Sequence, residues 1–300
     1  MTTPAVTPSA GIGAAVRDRW GQINNSPRLS VALVAGLVII FLVFMFGLLG
    51  PLFVDMEQAE VASVTPKQEP GAEYWLGTDS QGRSILAVMI AGTPQTLKIG
   101  LIAGTVGIVV GLFLGMVAGF FGGIIDATIR VISDALLTVP AIAILIIIAA
   151  NVDEMSVELM GITVAVLAWM FPTRTIRAQV LTIKERAYME VARVNGQKGL
   201  GLVFREVFPN LLPFIMASFV GAVGSAMLAA VGLEALGLGA NQVHTLGTII
   251  YWAQKFSAVL RGQWWWWGPP IVMIAVIFMG LFLLSIGLDR FANPRLRQQT

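Results

Sequence analysis

Arg186, Glu190 and Arg193 are three charged side chains at helical spacing in this 300-residue sequence. On a helix they share one face, with Glu190 four residues after one arginine and three before the other. A solvated charged face is the plain reading of that spacing, and pairing with acidic groups on another protein the alternative. The residues for other chemistries are missing. The chain has no cysteine, which excludes disulfides, thiolate metal sites, iron–sulfur ligation and a cysteine nucleophile. His244 is the single histidine, so the chain cannot supply a zinc site of the usual multi-histidine kind. H-E-x-x-H, G-x-S-x-G and G-x-x-x-x-G-K-[ST] are all absent. No catalytic, metal or phosphate-cradling residue is therefore assigned, and an integral-membrane enzyme is the more distant alternative.

Two further groups have suggestive spacing. In LGTDSQGRS, Gly77, Thr78, Asp79, Gly82 and Arg83 form a tight polar turn, with Asp79 placed to accept from nearby backbone amides; contact with an external protein is the functional alternative. Trp264, Trp265, Trp266 and Trp267 precede Pro269 and Pro270. They are most simply an interfacial belt with rings at headgroup depth; stacking against a sugar is the other reading.

The elements that position these groups lie in lipid. The chain is 56% hydrophobic and 12% charged, with mean hydropathy +0.81, which rules out an ordinary water-soluble enzyme. Net charge is only +2, and no massed basic face predicts nucleic-acid binding. Runs of about 20 apolar residues can cross a membrane. Six are expected, near Ser30–Val54, Thr96–Phe121, Ala135–Ala150, Leu159–Phe171, Leu211–Val231 and Gly268–Leu288. The first is too long for a signal's apolar segment and should persist as an anchor. With the N-terminus inside, 14 of the 19 basic residues fall in inner segments, so both termini are expected in the cytoplasm of a multi-pass cell-membrane protein.

The expected division is a cytoplasmic tail over 1–29, a first span over 30–54, an acidic extracytoplasmic loop over 55–95, a core of five transmembrane helices over 96–290 that includes the cytoplasmic loop 173–210, and a cytoplasmic tail over 291–300. Tail 1–29 begins with a Thr/Pro/Ala stretch expected to be disordered. In the second span Gly107, Gly111, Gly115 and Gly119 recur every four positions, with Gly100 and Gly104 upstream, a ribbon that lets another helix approach closely. Gly221, Ser225 and Ala229 repeat the pattern in the fifth. Helix packing is the plain reading of both rows and lining of a pathway the alternative. Ionisable residues fall toward span ends (Lys98, Asp134, Glu234), which disfavours an ion-coupled carrier acting alone. Neutral groups such as Thr105, Thr138, Ser218 and Ser225 remain to line a path.

The cytoplasmic loop over 173–210 is the most basic segment. Within it Ala187, Val191 and Val194 line an apolar face, Gly196 is a left-handed cap, and Leu200, Phe204 and Phe208, with Val203 and Val207 beside them, form a second stripe that Pro209 ends. The order Glu190, Ala192, Gly196, Pro209, Asn210, Pro213 resembles the EAA loop of permease subunits of ATP-binding cassette importers. LGTDSQGRS, GLEALGLG over 232–239 and the tryptophan run are similar to the peptide/nickel branch, in particular its dipeptide and oligopeptide C-type subunits. The resemblance runs from about residue 30 to the C-terminus; Ser84, Asn195 and Glu206 depart from it.

The resemblance implies an all-α fold of six transmembrane helices with a cytoplasmic coupling helix, the type I importer permease fold. It gives the ATPase-docking role to Glu190, Ala192 and Gly196 and a helix-ending role to Pro209 and Pro213. Arg186, Arg193 and Arg205 could pair with acidic groups on the ATPase. It implies no cofactor in this chain, ATP and Mg being bound by two separate ATPase subunits. Other implied partners are a second, related permease subunit and an extracytoplasmic solute-binding protein. Small peptides are the expected cargo, with oligosaccharides or nickel chelates as the alternative.

Overall fold

The computed structural model describes residues 30–197 and 199–292; the expectations for tail 1–29, for Lys198 and for residues 293–300 lie outside them. Among the described residues the chain is helical, with one isolated bridge between Thr78 and Ser84. The helices are α1 (Val31–Leu49), α2 (Ile85–Phe121), α3 (Gly123–Thr138), α4 (Ala141–Ala150), α5 (Val157–Ala168), α6 (Met170–Lys184), α7 (Ala187–Val194), α8 (Phe208–Ala235), α9 (Leu246–Lys255) and α10 (Trp264–Ala292). Helices around α1, α2, α8 and α10 are each long and apolar enough to cross a membrane. The pairs α3–α4 and α5–α6, bent by 83° and 45°, make six crossings if each pair is one broken span. Pro140 lies in the first break, and Pro172, which cannot donate to the preceding turn, follows the second.

Several boundaries differ from the sequence expectation. Helix α2 begins at Ile85 instead of Thr96 and runs for 37 residues. At 1.5 Å per residue it is about 55 Å long, well beyond a hydrocarbon core of about 30 Å. Its early polar residues are absorbed by protein: Thr93 donates to the Met89 carbonyl, and Thr96 donates to Gly92 while accepting from the Leu246 amide. Helix α6 occupies the start of the segment expected as loop 173–210. Helix α9, inside an expected outer loop, starts with a Thr245–Thr248 capping box.

Helix α2 is the hub, and its glycines explain why. A β-carbon on Gly104 would meet Val223 of α8 at 2.6 Å, and one on Gly111 would meet Pro172 at 2.6 Å and the Thr173 amide at 3.0 Å. Gly115 and Gly119 are pressed against Thr173, Ile176 and Val180 of α6 in the same way. The second-span ribbon is thus a helix-packing surface, on two sides of one helix. Gly115→Val is expected to cost about 1–3 kcal/mol through overpacking, read as a lower thermal midpoint of the detergent-solubilised protein; an unchanged midpoint would contradict this contact. The Gly221 row of α8 behaves differently, since a β-carbon there meets nothing within 4 Å.

The long helices divide the chain into two ends. One, the acidic face, carries residues 50–84 and the segment from Leu236 through α9. The other, the basic face, carries the α2–α3 corner and α7. Gly122 and Gly123 make that corner with φ of 69° and 60°, a conformation open to glycine at little cost.

Candidate functional site

On the basic face, α7 shows which residues anchor and which are displayed. Met189 and Ala192 are buried in a cluster with Ile108 of α2, Ile176, Val180 and Ile183 of α6, and Val207 and Leu211 at the base of α8. Burying Met189 stabilises this docking by about 2 kcal/mol. The apolar face expected from Ala187, Val191 and Val194 points the other way: Val191 is 59% and Val194 86% exposed. Tyr188, Arg186, Glu190 and Arg193 are exposed beside them. Periodicity picks out only the Ala187–Val191–Val194 strip, whereas the contacts with α6 and α8 bury Met189 and Ala192 instead.

The helix closes as the sequence predicts. Gly196, at φ 84°, donates from its amide to the Arg193 carbonyl at 3.0 Å, and the Gln197 amide donates to Ala192 at 3.1 Å. This is the paired bonding of a left-handed glycine cap. The second stripe is corrected. Val203 and Val207 are buried and Phe204 is 61% exposed, with Phe208 between. Pro209 and Pro213 end no helix. A turn over Leu200–Leu202 and a π-helical segment over Val203–Val207 lead straight into α8, with Pro209 in its first turn and Pro213 inside it. The π segment and a helix N-terminus both leave backbone groups unpaired in the α pattern, so a proline lacking its N–H fits there. Arg205 is exposed on this segment.

Charged contacts connect this region to the spans. Arg177 forms a two-pronged pair with Asp126 of α3, Nη2 to Oδ2 at 2.6 Å and Nε to Oδ1. Lys184, the last residue of α6, donates to the Gly119 and Phe120 carbonyls at the end of α2, at 3.2 and 2.9 Å. Helix α6, one turn from α7, is therefore fastened to both α2 and α3. The loss of Asp126 leaves Arg177 partly buried without its partner, an expected cost of about 2 kcal/mol for Asp126→Ala. The thermal midpoint should fall, and the exchange Asp126→Arg with Arg177→Asp should recover part of it; equal damage in the exchanged pair would argue against direct pairing.

Between α6, α8, α10 and the α3–α4 break lies a cavity of about 650 Å³ lined mainly by apolar side chains, with Thr175, Ser218, Ser225, Ser285 and Asp289 as its polar members. Of the neutral groups named from sequence, Ser218 and Ser225 line it, whereas Thr105 and Thr138 do not. The available signal for Ser285 and Asp289 was their four-residue spacing on one face of the last span.

On the acidic face, Asp79 accepts from the Gln81 and Arg83 amides at 2.8 and 2.9 Å and from Arg83 Nε at 2.6 Å. This is the turn chemistry expected of it. Gly77, Thr78, Asp79 and Gly82 are all buried, so these four pack within the chain. Trp265 Nε1 donates to the Thr78 carbonyl at 3.2 Å, and Trp266, fully buried, stacks on Phe256. The interfacial-belt expectation is corrected for these two: α9 and the Gly77 turn cover them, and Trp264 alone of the four is largely exposed. Nearby, burial and the Arg83 charge hold the His244 imidazole below its ordinary pKa.

Comparison with known proteins follows the same lines. Residues 111–298 match the family described as binding-protein-dependent transport system inner membrane component. The dipeptide transport system permease protein DppC of Alkalihalophilus pseudofirmus is 28% identical over 280 residues, 93% of this chain and 90% of that protein. The oligopeptide transport system permease proteins OppC of Mycobacterium tuberculosis (strain ATCC 25618 / H37Rv) and Bacillus subtilis are each 26% identical, covering 73% of this chain and 76% and 72% of theirs. With well over half of its length matched, this chain belongs to the family of inner membrane components of binding-protein-dependent transport systems.

Proposed function

We propose that the chain is the permease subunit of an ATP-driven importer that moves small peptides by alternating access. The observation that carries the coupling is α7, which displays Tyr188, Val191 and Val194 among Arg186, Glu190 and Arg193 while Met189 and Ala192 lock it to the transmembrane core. A partner that displaces α7 displaces α6 and α8 with it. The naming of the relatives as dipeptide and oligopeptide permeases supports peptide cargo. The excess of Lys and Arg on the basic face supports its placement in the cytoplasm, with both termini.

In this reading two ATPase subunits bind ATP and Mg and grip α7. A related second permease completes the path along the Ser218–Ser225 cavity, and an extracytoplasmic binding protein delivers the solute. The test is co-purification with the ATPase subunits, followed by peptide uptake into proteoliposomes that also hold the second permease and the binding protein. ATP-dependent uptake of a labelled tripeptide is expected, and Gly196→Pro, which removes the capping N–H and demands negative φ, should abolish ATPase binding. A chain that binds no ATPase, or binds it equally well with Gly196→Pro, would defeat the reading.

A further inference from the structure

The acidic face holds a second cavity, of about 640 Å³, between the Asp79 turn, the outer part of α2, residues 241–244 and α9. Its polar wall includes Arg83, His244, Gln81, Gln95 and Gln242, with Trp252 on one side.

Arg83 is the informative member. It is only 4% exposed, and Asp79 takes up its Nε edge. The Asp79 carboxylate is also occupied by two backbone amides. A guanidinium carries five N–H donors, and among the described residues no other hydrogen bond from this one is found. Arg83 itself lines the cavity. A carboxylate is the ligand whose planar pair of oxygens matches such a fork. The amides of Gln81, Gln95 and Gln242 each offer both a donor and an acceptor, as a peptide main chain requires. Depressed by burial and by Arg83, the imidazole of His244 adds polarity without a second positive charge. Glu60, exposed at the rim, contributes negative charge, which disfavours polyanions and suits a zwitterion.

We infer that this cavity is an entry subsite for short peptides, where Arg83 receives the solute's terminal carboxylate and the three glutamine amides pair with its main chain. The inference rests on the peptide-importer reading. An acidic side chain of the docked binding protein could supply the same carboxylate, and the two sources are separable.

The experiment uses the complete transporter in proteoliposomes and compares uptake of a free-acid tripeptide with that of its C-terminal amide. Arg83→Lys keeps a cation against Asp79 but loses the fork. It is expected to lower the acid-to-amide uptake ratio about tenfold, the effect of losing one charge-assisted hydrogen bond. Gln95→Glu places a repelling carboxylate in the cavity wall without touching the Asp79–Arg83 pair, and is expected to shift the ratio the same way. An unchanged ratio in Gln95→Glu and in folded Arg83→Lys would overturn the inference. A rise in the binding-protein concentration needed for half-maximal uptake, equal for both tripeptides, would also overturn it by assigning the carboxylate to the docked protein. Wild-type transporter that takes up neither tripeptide would defeat the peptide reading itself.

Discussion

Glutamate at both Val191 and Val194 is expected to release the ATPase subunits while leaving the permease folded. The two valines are 59% and 86% exposed, so neither holds α7 in place; Met189 and Ala192 do that. In a partner's groove each valine would contribute about 1.5–3 kcal/mol on burial. Losing both should weaken association by more than about 100-fold, before any cost of burying the new carboxylates. Affinity of detergent-solubilised permease for its ATPase measures the effect, with the thermal midpoint of the permease alone as control. Met189→Asp makes the contrast, since it should lower that midpoint by placing a charge among Ile176, Val180 and Val207. Unchanged ATPase affinity in the double glutamate variant would show that docking uses another surface.

The second large effect concerns stability. Asp79→Ala removes the acceptor of two backbone amides and of the Arg83 guanidinium, all in a site where Asp79 is 1% exposed. Breaking a buried pair by deleting one partner costs about 3–5 kcal/mol, because the other charge stays buried and uncompensated. Against a net stability of about 5–15 kcal/mol for a typical domain, that is enough to cut the yield of folded protein severely. Asp79→Asn should do less harm, since its side-chain oxygen can still accept from both amides. Thermal midpoints and folded yield in detergent rank the two variants; equal behaviour of Asp79→Ala and wild type would mean the turn does not depend on its carboxylate.

Much of the candidate site was legible in sequence because it depends on local rules. Gly196 caps α7 because a residue there needs positive φ, and Asp79 closes its own turn because its carboxylate reaches amides two and four residues on. The glycines of α2 announced close packing through their four-residue period alone. The prolines after the loop misled for a related reason. Pro209 breaks an ordinary α pattern, but the preceding π-helical segment and the first turn of α8 accommodate it. The sequence places the start of α2 too late because Thr93, Gln95 and Thr96 lower its hydropathy, while the carbonyls that accept from the two threonine hydroxyls lie on its own preceding turn.

The sequence by itself determined that the chain lives in lipid, roughly where its long apolar spans run, and which short segments carry a cap, a turn or a packing ribbon. Each of these follows from composition or from neighbours within a turn or two along the chain. Only the tertiary structure decided which strip of α7 packs on the bundle and which stays exposed, that Trp265 and Trp266 are internal, and that Arg83 and His244 share a cavity. Those outcomes depend on residues up to 187 positions apart, as in the Trp265–Thr78 bond. Helical periodicity fixes the angle between two strips on a helix, and it leaves open which strip a neighbouring helix will cover.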